Sequence, residues 1–238
     1  HLKVDYFKKA CEALPDVWRA GLDVADGGID MNALVLRQWV IWRQTYAWNT
    51  DDVGVTTRMT VDYCRPYPGT VVEYDAIGVG SAVKAEYNRL IKDDTVEHVT
   101  KDIIQFSPWN AGAAVKDPFE NIIPGDEKTP LNKDYFQNFK AQSWWALRGR
   151  FYKTYKAVTE GIVYPVDDLV SLDSEMNDLE VTIKELAQAT HGQSAGLRLK
   201  VEQAPAGTKS PNRADAGVQS FNPAVTEDGV IVSGSFSQ

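Results

Sequence analysis

The chain has 238 residues, 43% of them hydrophobic, and a formal net charge of -8. That size and apolar content suit one domain with a sizeable core, or one domain with an irregular insertion, and the many aromatic residues argue against disorder. No stretch approaches the roughly 20 apolar residues that span a bilayer, no export signal opens the chain, and the acid excess argues against a surface that grips duplex nucleic acid unaided.

In chain order, residues 3–14 read as a short helix ending near Pro15, with Tyr6 and Phe7 as its docking residues. A first strand is expected from about Trp18 to Val24. The turn Asp26-Gly27-Gly28 leads to a second at about Ala33 to Trp42, and a third takes in Thr45 to Trp48. Asp51 or Asp52 caps a helix that runs to about Arg65, broken by Pro66 to Gly69. Thr70 to Asp75 is the next strand. Its alternation puts Glu73 and Asp75 on one side, roughly 6 to 7 Å apart. Val83 to Leu90 reads as a helix entered through the Gly78-Val79-Gly80 turn, and Ile103 to Phe106 as a short strand.

Residues 107–134 carry Pro108, Pro118, Pro124 and Pro130 and read as an irregular insertion. It is long for a compact domain, which points to a role such as substrate contact. Asn138 to Val158 returns to helix. Its aromatic residues and cations fit an amphipathic packing helix, with DNA contact as the lesser reading. A second helix covers Leu179 to Ala189, with Leu179, Ile183 and Leu186 as its buried stripe. Residues 196–202 alternate like an edge strand. Ser210 is positioned to cap a last helix with Pro211 at its first turn and Asp215 about one turn in. The tail, residues 222–238, is expected to be loose. The whole describes an α/β fold, a mixed central sheet flanked by helices.

Three acids stand in apolar surroundings: Asp23, Asp75 and Asp215. A core strand does not carry a charge such as Asp23 unless it is paired or bound to metal. Three converging carboxylates repel one another, and a divalent cation removes that cost. Hard oxygen donors suit Mg²⁺ or Mn²⁺, and two such ions about 3.5 to 4 Å apart activate water and neutralise charge on a phosphoryl group. The expectation is therefore metal-dependent cleavage of nucleic acid. Asp23 would bridge both ions, Asp75 hold one from a neighbouring strand end, and Asp215 close the site from a helix. Glu73 is the rival to Asp75, as an orienting or solvent-facing residue.

Asp26 and Asp30 read as turn residues. Asp167, Asp168 and Asp173 read as solvated or capping acids. Lys209 and Lys84 either contact phosphate or are plain surface lysines. Gly78 and Gly80 are close-packing and turn residues, since neither a complete dinucleotide loop nor a phosphate-binding Gly-x-x-x-x-Gly-Lys-Ser/Thr loop is present. His98 and His191 lack metal spacing. The two cysteines, Cys11 and Cys64, form neither a disulfide framework nor a zinc site and fit a reducing cytoplasm.

Four segments together resemble one family. Leu22-Asp23-Val24-Ala25-Asp26-Gly27-Gly28-Ile29-Asp30 resembles the first motif of the nuclease domain of tailed-phage large terminase subunits. Val72 to Gly80 resembles the second motif, Ser210 to Ala216 the third, and Phe139 to Arg148 the intervening helix. The resemblance runs from about residue 18 to 221. It implies an RNase H-like fold and a two-metal centre of Asp23, Asp75 and Asp215 that cuts concatemeric double-stranded viral DNA during genome packaging. It further implies a packaging ATPase domain in the same full-length protein, with portal protein and small terminase subunit as partners. The setting would be host cytoplasm, transiently at the procapsid portal. No ATP-binding loop occurs here, so the chain resembles the C-terminal half alone. The alternatives are a Holliday-junction resolvase or RNase H of the same fold, or a non-enzymatic docking module.

Overall fold

The computed structural model describes residues 14–25, 30–92, 104–202 and 209–222. The expected first helix, the Asp26-Gly27-Gly28 turn, Cys11, His98, Ile103 and the tail beyond Asn222 lie outside these residues.

A six-stranded mixed sheet forms the centre, in the order β5-β4-β1-β2-β3-β6. Strands β1 (Trp18–Asp23), β2 (Asn32–Gln38) and β3 (Ile41–Trp48) make an antiparallel meander. β4 (Thr70–Asp75) lies parallel to β1, and β5 (Ile104–Trp109) parallel to β4. β6 (Ser171–Leu172) runs parallel to β3 at the other edge. Pro108 sits in β5, an edge strand, where its missing N–H interrupts no inner ladder.

β2 is apolar on both faces because both are covered. Leu34 and Leu36 pack with Leu22, Val72 and Tyr74 against the side of helices α1 (Val53–Cys64) and α2 (Val83–Lys92). Ala33 and Val35 face the opposite layer, which contains Trp42, Trp109, Phe139, Leu147 and Phe221. That layer is built from α4 (Phe139–Glu160), α5 (Leu179–Gln188) and α6 (Asn212–Phe221); α3 (Asn132–Tyr135) is a short helix just before α4. Asp52 caps α1 by accepting from the N–H of Val55. Asn138 caps α4, accepting from Ala141 N–H at 3.0 Å, and Gly161 ends that helix in the left-handed conformation. No described helix is long and apolar enough to cross a membrane.

Five local expectations change. The apolar run from Ala33 to Trp42 is two strands, since Gln38 pairs with Ile41 across a tight turn at Trp39-Val40. Trp39 has φ +50°, a conformation usually announced by Gly or Asn, so the sequence hides the turn. β6 is an added strand, too short to show a period. Residues 196–202 contribute only Leu199–Val201, which pairs with His191–Gln193 (β7 and β8) in a separate two-stranded sheet. In α5 the fully buried positions are Thr182 and Glu185; Leu179 and Leu186 pack partly buried against the core as expected, but Ile183 is exposed. Asp168 is buried against Lys153 at 2.8 Å rather than solvated. The segment 107–134 is otherwise irregular as expected, tied down by backbone bonds such as Asn132 N–H to Glu120 and Ile122 N–H to Pro130.

Candidate metal centre

β1 and β4 are parallel neighbours, with Leu22 opposite Tyr74. Asp23 and Asp75 are the next residues, so both stand at the C-terminal ends of adjacent central strands. Adjacent strands lie about 4.8 Å apart, which brings the two backbones close. Helix α6 lies across β1 and β2. It comes so near that a Cβ on Gly21 would stand 1.9 Å from the Ala216 carbonyl oxygen, and one on Gly217 would stand 2.0 Å from the Trp42 indole. Asp215 immediately precedes Ala216, so this contact carries it to the end of β1. The Gly78–Ala82 310 turn that follows β4 folds back equally tightly: a Cβ on Gly80 would meet the Asp75 carbonyl at 1.8 Å.

The electrostatics show what this convergence does. Asp23 is half-buried, and its carboxyl is held well above the usual carboxylate range. Burial is the main cause, the charges of Asp215, Asp75 and Glu185 add to it, and Lys140 alone works against them. Burial also raises Asp75, with Asp215 adding; the Ile77 N–H, at 3.0 Å, and Lys140 pull it back. Lys140 has the mirror response. Burial disfavours its charge, but Asp215, Asp23 and Asp75 together hold it above the ordinary lysine value. Its Nζ lies 2.9 Å from Asp215 Oδ1, and Trp144 Nε1 donates to the same oxygen at 3.1 Å. Three elements thus deliver Asp23, Asp75 and Asp215 into one mutually repelling group, with a single ammonium from α4 among them.

Lys140, Trp144 and Glu185 escaped the sequence reading. Lys140 and Trp144 are four residues apart, one turn of the same helix, but looked like ordinary members of a packing helix. Glu185 shares the buried face of α5 with Thr182. It replaces the expected Ser210 cap: Pro211 flanks α6 without a side-chain bond, and Glu185 Oε2 accepts from the Arg213 and Ala214 N–H groups at 2.6 and 3.2 Å. Arg213 in turn pairs with Glu185 at 2.8 Å and Asp178 at 2.9 Å.

Glu73 is fully buried, with Arg19 at 3.8 Å, so the solvent-facing reading is corrected. Lys84 donates to the Phe106 carbonyl at 3.2 Å and serves packing. Asp173 caps Glu175 N–H and pairs with Arg43 at 2.8 Å, whereas Asp167 accepts from the Trp39 indole. Asp30 accepts through its carbonyl from Asn49 in the turn leading into β2.

Among the described residues, no group of three or more His, Cys, Asp or Glu side chains is arranged to enclose one metal ion. Asp215 is engaged by Lys140 instead. The donor set nonetheless fits a hard divalent cation, since it consists of carboxylate oxygens whose charges lack sufficient compensation.

No family model matches the sequence, and no curated protein matches it. Solved structures do match. A mutant nuclease domain of the large terminase subunit gp2 of bacterial virus Sf6, with manganese and β-thujaplicinol, superposes with a TM-score of 0.72 at 20% identity, covering 92% of this chain and 97% of that one. The chain has the fold of a phage large-terminase nuclease domain. The same Sf6 nuclease domain without a named ion or ligand gives 0.68 at 21% identity, with the same coverage. The large terminase nuclease from thermophilic phage G20c with bound magnesium gives 0.50 at 12% identity, covering 87% of this chain and 81% of that one. The mixed sheet flanked by helices expected of a terminase nuclease is therefore present; its adjacent strands β1 and β4 end in Asp23 and Asp75, and α6 carries Asp215.

Proposed function

We propose that the chain is a divalent-metal-dependent endonuclease that cuts concatemeric double-stranded viral DNA during packaging. The carrying observation is the meeting of Asp23, Asp75 and Asp215 in one electrostatic group, drawn from two adjacent strands and the last helix. Support comes from the Sf6 and G20c nuclease structures, whose descriptions include manganese and magnesium.

In this reading Asp23, Asp75 and Asp215 would hold two Mg²⁺ or Mn²⁺ ions. Bound there, such ions supply an activated water and neutralise charge on the phosphoryl oxygens. The protein's own part is positional. β1 and β4 fix two carboxylates side by side, α6 sets the third, and Trp144 orients it through the indole N–H. Lys140 neutralises part of the group in the absence of an ion and lies within reach of Asp215 to yield it. By the same reading the partners are duplex DNA, a packaging ATPase domain of the full-length subunit, portal protein and small terminase subunit. The place of action is the host cytoplasm at the procapsid portal.

The test is nicking and linearisation of plasmid DNA in Mn²⁺ or Mg²⁺, with a chelator control. Asp23→Asn is expected to lose more than about 100-fold in rate, beyond what outer-shell changes cost, while its circular dichroism stays native. Near-native cutting by that variant would remove Asp23 from the centre. Linear duplex, four-way junction and RNA–DNA hybrid compared side by side decide the substrate, and strong junction preference would replace the packaging assignment with resolvase chemistry.

A further inference from the structure

A cleft of about 290 Å³ opens between α5 and the start of α6. One wall is α5, through Lys184, Glu185 and Gln188. The opposite wall is the entry to α6, through Lys209, Ser210 and Arg213, and Asp30 and Met31 border it from the segment leading into β2. Glu185 links the cleft to the acid group: it lines the cleft, and its charge reaches Asp23.

The residues lining the cleft include three cations, Lys184, Lys209 and Arg213, and two acids, Asp30 and Glu185. Arg213 is consumed by Glu185 and Asp178, and the N–H groups opening α6 are taken by Glu185. Lys184 and Lys209 are exposed, and neither has an ion-pair partner among the described residues. Gln188, one helical turn after Lys184, donates from Nε2 to the Lys209 carbonyl at 2.9 Å. That bond ties the Lys209 backbone to α5, and both lysines line the cleft. Asp30 is the one carboxylate lining the cleft that lacks an ion-pair partner among the described residues. With Asp178, which also pairs with Arg213, cations and acids around the cleft are equal in number, against a net charge of -8 for the whole chain.

We infer that Lys184 and Lys209 form a backbone-phosphate subsite that holds the DNA strand to one side of the metal centre. The inference rests on the nuclease reading for the identity of its ligand. Carboxylates at the centre repel a polyanion until ions are bound, so grip on the strand has to come from cations set to one side. Point charges on flexible stems suit phosphate and read no base, so this contact positions the strand without selecting sequence.

The experiment measures binding of a fluorescein-labelled duplex by anisotropy across a salt series, with Ca²⁺ as the divalent ion and a gel to verify that the duplex stays whole. Cleavage in Mn²⁺ is measured in parallel. Each phosphate contact contributes about 0.9 to the slope of log affinity against log salt, so the Lys184→Ala/Lys209→Ala variant is expected to lose about 2 from that slope, equally for unrelated sequences. At subsaturating DNA its cutting falls in step with the weakened binding. Lys184→Arg/Lys209→Arg keeps the slope, and Lys128→Ala, in the irregular segment, leaves it unchanged. An undiminished slope in the double alanine variant, with normal cutting, overturns the subsite and leaves the nuclease reading intact. A wild-type chain that shows the two-lysine dependence but never cuts defeats the nuclease reading and keeps the subsite.

Discussion

At the scale of single residues, two aspartates illustrate opposite uses of charge. Asp173 is held below the ordinary carboxylate value: burial pushes it up, but the Glu175 N–H and the Arg43 guanidinium outweigh that. A depressed pKa in the folded state adds stability above the unfolded value near 3.9, and the contribution disappears as pH falls through the lower folded value. The stability gap between wild type and Asp173→Asn, read from urea midpoints, is therefore expected to be full at pH 7 and to shrink below about pH 4. A gap that stays constant into acid would deny the ion pair its role. Asp23 is the reverse case, raised by burial and by its acidic neighbours. In metal-free buffer at neutral pH, Asp23→Asn is expected to melt a few degrees higher than wild type, as functional-site acids commonly cost stability. Saturating Mn²⁺ should reverse the order, because ligand binding stabilises the form that binds it.

At the scale of elements, the decisive contact is α6 on β1. The missing side chain of Gly21 allows the Ala216 carbonyl to sit where a Cβ would be, and the obstacle is backbone rather than a flexible tip. Gly21→Ala is expected to cost about 3 kcal/mol or more, at the upper end of overpacking penalties. The same change pushes Asp215 away from Asp23, so Mn²⁺ affinity by calorimetry should fall even where the fold survives. Unchanged stability would mean that α6 does not rest on the strand as described.

The elements also show which parts of the structure were readable from sequence. An acid inside an apolar strand is costly, so Asp23 and Asp75 stood out, and the strands carrying them lie where expected. The Trp39-Val40 turn was invisible because a tryptophan takes up the left-handed conformation there. Glu185 was hidden for a different reason. Helical periodicity finds apolar stripes, but a buried glutamate that caps another helix is specified by long-range contact alone. Lys140 likewise acquires its meaning only when α6 brings Asp215 to within 2.9 Å.

For the whole molecule, the chain order of the three acids sets a sequence of events. Asp23 and Asp75 lie in the sheet, while Asp215 belongs to the last described helix. During synthesis the two strand acids emerge long before the third. On the proposed function, a nascent or prematurely ended polypeptide would hold two of the three acids and would not cut, so DNA would be spared until the α6 segment has been made. A truncation at residue 211 is expected to be inert on plasmid DNA, and a separately supplied peptide of residues 209–222 should restore nicking if it docks. The timing of DNA damage would then be governed by translation itself.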